Sequence, residues 1–445
     1  MRVFGFNEGY HDAGVCILDD HEIIYASHSE RYSGVKNDTT LHDSQISKSG
    51  NCDTIAFYEN YFLKNTRRLY SGQGWTRKRT SIPYDVSFTH HESHAAAGYY
   101  TSTFDECNVL VIDAIGEWDT ISIWYCKNLK MKKIKSFKYP YSLGLLYSAI
   151  THRIGLKPNE DEYITMGMSA FGEPKYDMEF LLEKNNHKGV GHIFPEAKFE
   201  DLAASIQNLY EKQLLKLVDK YCHHNNLILM GGCALNCVAN SKIKNKNIWI
   251  MPNPGDCGSS LGAAALVNKK KLNWKDPYLG YNLLRSNPKK VVDELLKNKV
   301  CGVASEKAEF GPRALGNRSL LGDCRYPIKD TVNNIKLRQK FRPFAPAILE
   351  EYANDYFDGP MNEYMQFVSK AKHDYDSVTH VDGTARVQVV KKNCSSIIRE
   401  ILELWYDKTG VPMLLNTSLN IKGMPIVNDE RDVKIFINKY KVKVL

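Results

Sequence analysis

Twice in its amino-terminal half the chain runs strand, acidic turn, strand, and this repeat limits the folds open to it more than any other feature. Val3 to Phe6 lead into His11-Asp12-Ala13-Gly14, and the apolar runs Val15 to Leu18 and Ile23 to Ala26 follow. Further on, Val109 to Ile112 enter Asp113-Ala114-Ile115-Gly116-Glu117 and leave through Thr120 to Tyr125. Short apolar runs bounded by Asp and Gly read as strands joined by turns. A unit used twice predicts a domain made of two related halves.

Two later glycine segments extend the pattern. Leu227 to Met230 run into Gly231-Gly232 and then Ala234-Leu235-Asn236, and Asn253-Pro254-Gly255-Asp256-Cys257-Gly258 lead into the helix-like Ser260 to Val267. At strand-to-helix turns, backbone amides and a helix amino terminus can hold phosphate or ribose. Gly231, Gly232 and Asn236 are therefore the candidate nucleotide contacts. The arrangement resembles the actin and sugar-kinase superfamily, which places a nucleotide between two such halves.

His90-His91-Glu92-Ser93-His94 stands directly before Ala95-Ala96-Ala97, a helix-forming run that Thr89 is placed to cap. His90 and His94 are i, i+4 and project from one helical face, a spacing that suits one metal ion and equally a pair of surface histidines. Two imidazoles need further ligands, and the acidic turns offer Asp113 and Asp256. His91 points elsewhere on the helix. Cys222-His223-His224 reads as a helix end before a strand, and Cys233, Cys237 and Cys257 read as small buried fillers.

The carboxyl-terminal third carries a different chemistry. Phe310-Gly311-Pro312-Arg313-Ala314-Leu315-Gly316-Asn317-Arg318-Ser319 places two arginines among small residues, and Arg342-Pro343-Phe344-Ala345-Pro346 follows. A guanidinium is a planar fork of donors matched to phosphate and carboxylate, and glycine lets backbone amides approach an anion. Lys336-Leu337-Arg338, His380-Val381-Asp382-Gly383-Thr384-Ala385-Arg386 and Asn416-Thr417-Ser418-Leu419-Asn420 add cations, hydroxyls and amides able to orient a triphosphate and a small acyl phosphate.

Taken together these motifs resemble the O-carbamoyltransferases that decorate antibiotics and nodulation factors. Lys336-x-Arg338 with Ser418-x-Asn420 is similar to the KxR and SxN pair of their YrdC-like domain. His90, His94, Asp113 and Asp256 fall on the metal-ligand positions of their TsaD-like domain. Tyr10-His11-Asp12-Ala13, Ser29-Glu30-Arg31-Tyr32 with Lys36 and Asp38, and Met166-Gly167-Met168-Ser169-Ala170-Phe171-Gly172 resemble further family motifs, so the likeness runs from Val3 to about Phe436. The chain departs from the pattern where Asp-Ala-Ile-Gly-Glu replaces a turn with a second glycine, and where Ile164 stands in place of a frequent lysine. It is also shorter than typical members, mostly on the acceptor side.

The resemblance implies two α/β domains. An actin-like, TsaD-like domain with ribonuclease-H-like halves spans about 1–275, and a YrdC-like domain spans about 285–445. It implies that carbamoyl phosphate and ATP, with Mg²⁺, give carbamoyl-adenylate in the second domain. There Arg313, Arg318, Lys336, Arg338 and Arg342 bind phosphates, and Arg386, Ser418 and Asn420 orient nucleotide and acyl group. A divalent ion, Fe²⁺ or else zinc or manganese, would then act in the first domain as the carbamoyl group passes to an acceptor hydroxyl. His11 is either the base, the group that orients that hydroxyl, or a structural hairpin histidine.

Composition bears on the acceptor and on the compartment. A formal charge of +8 over 445 residues reflects either a Lys-rich bias or an anionic partner. Lys127 to Lys138 and Lys242 to Lys246 read as solvated faces. Between Tyr58 and Tyr84, however, Tyr61, Phe62, Tyr70 and Trp75 interleave with Arg67, Arg68, Arg77, Lys78 and Arg79, which suits an unstacked base and its phosphates or a loop over the active site. The acceptor is accordingly expected to be a hydroxymethylated pyrimidine, free or flipped from DNA, or else a sugar or natural-product hydroxyl. A tRNA threonylcarbamoyl-type enzyme is opposed by the FGPRALGNRS and HVDGTAR motifs, and an ATP-binding regulator by the histidine–aspartate set. Eleven scattered cysteines without a CxxC pair, no long apolar run and no signal-like start predict a reduced, cytoplasmic protein without a membrane span. A homodimer is compatible with the sequence.

Overall fold

The computed structural model describes residues 1–76, 80–184 and 186–445, so Arg77, Lys78 and Arg79 of the aromatic–basic segment lie outside the described residues. The chain divides into two units, both α/β. Met1–Ser29 with Asn37–Trp274 form the first, and Lys275–Leu445 with the short stretch Glu30–Lys36 form the second.

In the first unit the repeated sequence becomes two five-stranded sheets of one plan. β1 (Arg2–Asn7), β2 (Gly14–Asp19) and β3 (Glu22–His28) form an antiparallel meander, and β4 (Thr54–Phe57) and β5 (Val86–Ser87) add in parallel beyond β1. β6 (Glu106–Ile112), β7 (Asp119–Lys127) and β8 (Lys130–Lys138) repeat the meander, with β9 (Asn226–Met230) and β10 (Asn247–Trp249) in parallel beyond β6. The orders β3-β2-β1-β4-β5 and β8-β7-β6-β9-β10 are therefore equivalent. The lysines of β8 lie along its exposed edge, where charge discourages pairing with another chain.

The inner strands β1 and β6 are buried along nearly their whole length, because helices cover them. Every residue of the His90–Thr101 helix except Glu92 is buried, as expected of a helix with no polar face. It packs against the Asp256–Asn268 helix, which is also buried almost throughout. Small side chains set the spacing. A Cβ on Gly262 would lie 1.8 Å from the Ser93 carbonyl oxygen, and one on Gly5 would lie 2.0 Å from that of Ser260. The Asp256–Asn268 helix thus rests directly on both β1 and its partner helix.

The second unit is built on strands β11 (Tyr278–Asn282), β12 (Val300–Ala304), β13 (Lys307–Glu309), β14 (Arg318–Gly322), β15 (Ala345–Leu349), β16 (Phe357–Asp358), β17 (Ser369–Ala371), β18 (Thr384–Ala385), β19 (Gln388–Val390) and β20 (Met413–Ser418). Its main sheet has the order β12-β14-β20-β15-β19, antiparallel except for the parallel β15–β19 pair. Adjacent residues alternate between its faces. Leu320, Ile348 and Met413 join a cluster with Phe344 and Phe436, whereas Leu321, Ala347 and Leu414 pack with Trp405 of the Ile398–Thr409 helix.

Tyr61–Tyr70 is a helix, capped where the Asn60 side chain accepts from the Leu63 amide at 3.1 Å. All eleven cysteines are free, and among the described residues no helix is long and apolar enough to cross a membrane. Because the two buried helices touch at Gly262, Gly262→Ala should destabilise the protein by about 3 kcal/mol or more, read as a lowered denaturant midpoint at unchanged slope.

Candidate functional site

The contact between the two helices brings four expected ligands together. His90 and His94 lie one turn apart on the first helix, Asp113 directly follows β6, and Asp256 opens the second helix. One donor atom from each falls within a set spanning 4.8 Å, and all four residues are buried. His90 Nε2 lies 2.8 Å from Asp113 Oδ2 and 3.5 Å from Asp256 Oδ1, and the corresponding separations for His94 Nε2 are 3.4 and 3.3 Å. The two Nε2 atoms stand 3.1 Å apart. Donors held about 2.0–2.2 Å from one ion sit roughly 3–3.6 Å from one another; the five separations given fall close to that range, and a small closing of the 4.8 Å span would let this nitrogen–oxygen set hold a single borderline divalent ion.

The charges support that fit. Burial disfavours the His90 imidazolium, yet Asp256 together with the hydrogen bond to Asp113 outweighs it and raises the pKa to about 9. His94 is raised as well, with burial opposed by its bonds to both aspartates. Burial would raise the Asp113 carboxyl, but the bonds from His90 and His94 hold it well below the usual carboxylate range. Two buried carboxylates thus draw positive charge to this point, which protons supply when no ion does.

The helix start differs from the sequence expectation. Thr89 occupies the cap position, but its side chain makes no capping bond. Glu117, from the acidic turn, supplies it instead, one carboxylate oxygen accepting from the His90 amide at 2.9 Å and from the Asn60 amide at 2.7 Å. Glu117 is the residue that sequence reasoning passed over. Its only signal was its place in the acidic turn Asp113-Ala114-Ile115-Gly116-Glu117, since a carboxylate beside a helix amino terminus is favourable. His91 is turned away, its Nδ1 2.8 Å from Ser122 Oγ. His11 stands on the other side of Asp256, with Nε2 3.8 Å from Asp256 Oδ2 and Nδ1 2.9 Å from Asp12 Oδ2. Burial works against its charged form, but Asp256 and Asp12 raise its pKa to about 10.

Gly231 and Gly232 end β9 beside this cluster. Gly231 has φ of +88°, and a Cβ there would meet the Ile112 carbonyl oxygen at 2.2 Å; one on Gly232 would lie 3.2 Å from Asp113 Oδ1. Asn236 bonds to Gln207 and caps a short helix through the Ala239 amide. Next to His90 opens a shallow cleft, lined by Tyr10, Tyr58, Glu59, Lys64 and Arg67 and by the Ile115–Gly116 turn.

In the second unit Lys336, Ser418 and Asn420 meet. The buried Lys336 ammonium donates to the Ser418 carbonyl, and to Asn420 O and Oδ1 at 2.9 Å each, while Ser418 Oγ donates to Asn420 Oδ1 at 2.6 Å. Burial, and then Arg338 and Arg342, hold the Lys336 pKa well below that of an ordinary lysine. Arg338 stacks its guanidinium 3.9 Å from the Phe344 ring centre and bonds Asn333. Arg313 and Arg342 are half-buried, and Arg386, which follows β18, has a buried Nε without a hydrogen-bond partner.

Arg318 departs from the expectation of a phosphate ligand. It is 0% exposed, and its guanidinium donates to the carbonyls of Ser305, Asn317, Tyr281 and Asn428 at 2.7–3.2 Å, Asn428 accepting twice. Five donors are engaged by backbone, which leaves no fork for an anion. Burial lowers its pKa to about 10, with Glu309 opposing. Its place at the start of β14 inside the sheet explains the difference.

Residues 45–194 and 188–265 match the family model described as Carbamoyltransferase N-terminus, and residues 292–445 match Carbamoyltransferase C-terminus. The chain is 30% identical to an uncharacterised protein, sll1178, of Synechocystis sp., over 97% of this chain and 93% of the other. It is 28% identical to Nodulation protein NolNO of Sinorhizobium fredii, over 96% and 76% of the respective chains. A third relative, Nodulation protein U of the same organism, is 34% identical over 50% of this chain and 46% of its own.

Two outcomes are expected. With the cluster metal-free, His90 is raised from 6.5 to about 9, so its contribution to stability is complete below pH ~6.5 and lost as pH rises through ~9. The melting temperature of metal-stripped protein should fall across that window, and a divalent ion should flatten the fall by replacing the protons. Arg318→Met should destabilise by on the order of 3–5 kcal/mol in denaturant unfolding, since it leaves buried carbonyls unpaired.

Proposed function

Since the chain belongs to the carbamoyltransferase family, we propose that it uses ATP to move a carbamoyl group from carbamoyl phosphate to an acceptor hydroxyl through carbamoyl-adenylate. The balance is simple. Water cleaves carbamoyl phosphate to carbamate and phosphate, a carbamate oxygen displaces pyrophosphate from the ATP α-phosphorus, and the acceptor oxygen then displaces AMP from the carbamoyl carbon. The acceptor proton passes to a base.

The observation that carries the reading is the buried convergence of His90, His94, Asp113 and Asp256 beside an open cleft. A divalent ion held there would supply Lewis acidity and charge neutralisation next to the reacting carbonyl. His11, whose imidazolium is held by Asp12 and Asp256, would orient the acceptor hydroxyl by donating a hydrogen bond to it. Gly231 and Gly232 would let backbone amides approach the adenylate, and Asn236 would bound its site. In the second unit Lys336, with Ser418 and Asn420 fixing its ammonium, would face the phosphates together with Arg313, Arg338, Arg342, Arg386 and Mg²⁺. An anion there restores the charged lysine that burial disfavours.

The acceptor would be a hydroxymethylated pyrimidine, free or in DNA, or else a small-molecule or sugar hydroxyl. The basic net charge supports the former, and steep salt dependence would accompany a DNA substrate.

The test is a metal-loaded assay with carbamoyl phosphate, ATP and both acceptor classes, in which mass spectrometry seeks one added carbamoyl group and AMP is followed separately. Absence of carbamoyl-phosphate-dependent AMP from pure, loaded protein would sink the reading. Lys336→Met should lower AMP formation by about 10²–10³-fold. His94→Ala should abolish metal binding and acceptor product while AMP still forms. His11→Gln should keep the metal and slow transfer by about 10²-fold.

A further inference from the structure

The acidic turn that begins with Asp113 ends on Glu117, whose contacts reach beyond the four-residue cluster. Glu117 is only 4% exposed. Its Oε1 accepts from the amides of His90 and Asn60 at 2.9 and 2.7 Å, and the His90 amide is shared with Oε2 at 3.2 Å. Its own carbonyl accepts from Arg67 Nε at 3.1 Å. The next residue, Trp118, donates from Nε1 to Thr66 Oγ1 at 3.1 Å, and its ring centre lies 5.4 Å from that of Tyr70. Thr66, Arg67 and Tyr70 belong to the Tyr61–Tyr70 helix, and Asn60 is its cap. One short turn therefore carries an expected metal ligand at its start and grips two helices at its end.

The turn has little freedom to give way. The Gly116 amide donates to the Asp119 carbonyl at 2.9 Å and the Asp113 amide to that of Thr120 at 3.0 Å, which closes it between β6 and β7. A Cβ on Gly116 would lie 3.0 Å from His91 Cδ2 and 3.2 Å from His90 Cβ, so the turn rests directly against the helix that bears the histidines. The first amides of a helix find no acceptor within it, and the buried His90 amide depends on an outside oxygen. That oxygen is joined through the same turn to Asp113, whose Oδ2 stands 2.8 Å from His90 Nε2. His90 is thus held twice by one turn, at its backbone by Glu117 and at its ring by Asp113. Fixing a metal ligand from behind in this way sets its orientation before any ion arrives.

We propose that Glu117 is a positioning residue for the ion. It sets the His90 backbone so that the ring meets Asp113 and Asp256, and through Asn60 it joins the site to the Tyr61–Tyr70 helix, which is steadied when the ion binds. Because both amides converge on Oε1, the oxygen rather than the charge does the fixing. The inference rests on the reading of His90, His94, Asp113 and Asp256 as a metal site and adds to it a residue that does not touch the ion.

The experiment uses the full-length, metal-stripped protein with Co²⁺ as the probe ion. Affinity and the visible spectrum of bound Co²⁺ are measured, and backbone hydrogen exchange is followed with and without the ion. Glu117→Ala removes the acceptor, Glu117→Gln keeps an oxygen without the charge, and Glu117→Asp keeps the charge but draws it back by a methylene. The Ala and Asp variants should bind Co²⁺ on the order of 10–100-fold more weakly and with an altered spectrum, while the Gln variant stays within about 3-fold of wild type. In the wild type Co²⁺ should slow exchange along the Tyr61–Tyr70 helix, and Glu117→Ala should lose that gain. A cap that serves stability alone would lower the denaturant midpoint of Glu117→Ala yet leave the affinity and spectrum of its folded form unchanged, and that result overturns the proposal. Equal losses in the Gln and Ala variants would assign the effect to charge and overturn it as well. Should Glu117→Ala fail to fold, the Asp and Gln variants carry the same comparison. Wild-type protein that takes up no Co²⁺ would instead refute the metal reading beneath the proposal.

Discussion

The close contact between the His90–Thr101 and Asp256–Asn268 helices is the constraint on which the first unit depends. Two helices approach this near only where one presents Gly262 and the other a backbone carbonyl, and runs of alanine continue the contact on both sides. From it follow the burial of β1 and β6, the position of Asp256 at a helix start, and the meeting of that carboxylate with two imidazoles from the other helix. A larger side chain at the contact would separate the ligands as well as the helices.

The buried charges in the two units are handled by opposite means. In the first, two carboxylates are concentrated with two imidazoles, so that the site holds a cation or else takes up protons. In the second, cations are gathered under backbone carbonyls, and burial pushes both Lys336 and Arg318 toward their neutral forms. One environment draws positive charge in, whereas the other holds cations whose charge burial disfavours.

Not every charged residue in a motif faces a ligand. Arg318 and Arg313 belong to one short segment and look alike in sequence, but Arg318 begins a central strand while Arg313 stays in the loop before it. A guanidinium inside a sheet finds carbonyls on all sides and holds the fold. The same sorting applies to Arg67, whose side chain turns inward to Glu117 rather than out to solvent. Charge along the chain does not distinguish these cases, because burial is a property of the register and of the neighbouring elements.

Several features were legible from the chain alone. Strand–turn–strand repeats specify related sheets because alternation and turn chemistry are local, and the i, i+4 spacing of His90 and His94 follows from helix geometry. The Lys336 and Ser418–Asn420 motifs likewise announce themselves by residue type. Tertiary structure decided the rest. It brought Asp256 beside residues far earlier in the chain, replaced the expected Thr89 cap with Glu117, turned Arg318 into the core, and set Glu59 and Lys64 in the wall of a cleft. Each of these depends on contacts between residues distant in sequence, where packing and burial outweigh any local preference of the residues themselves.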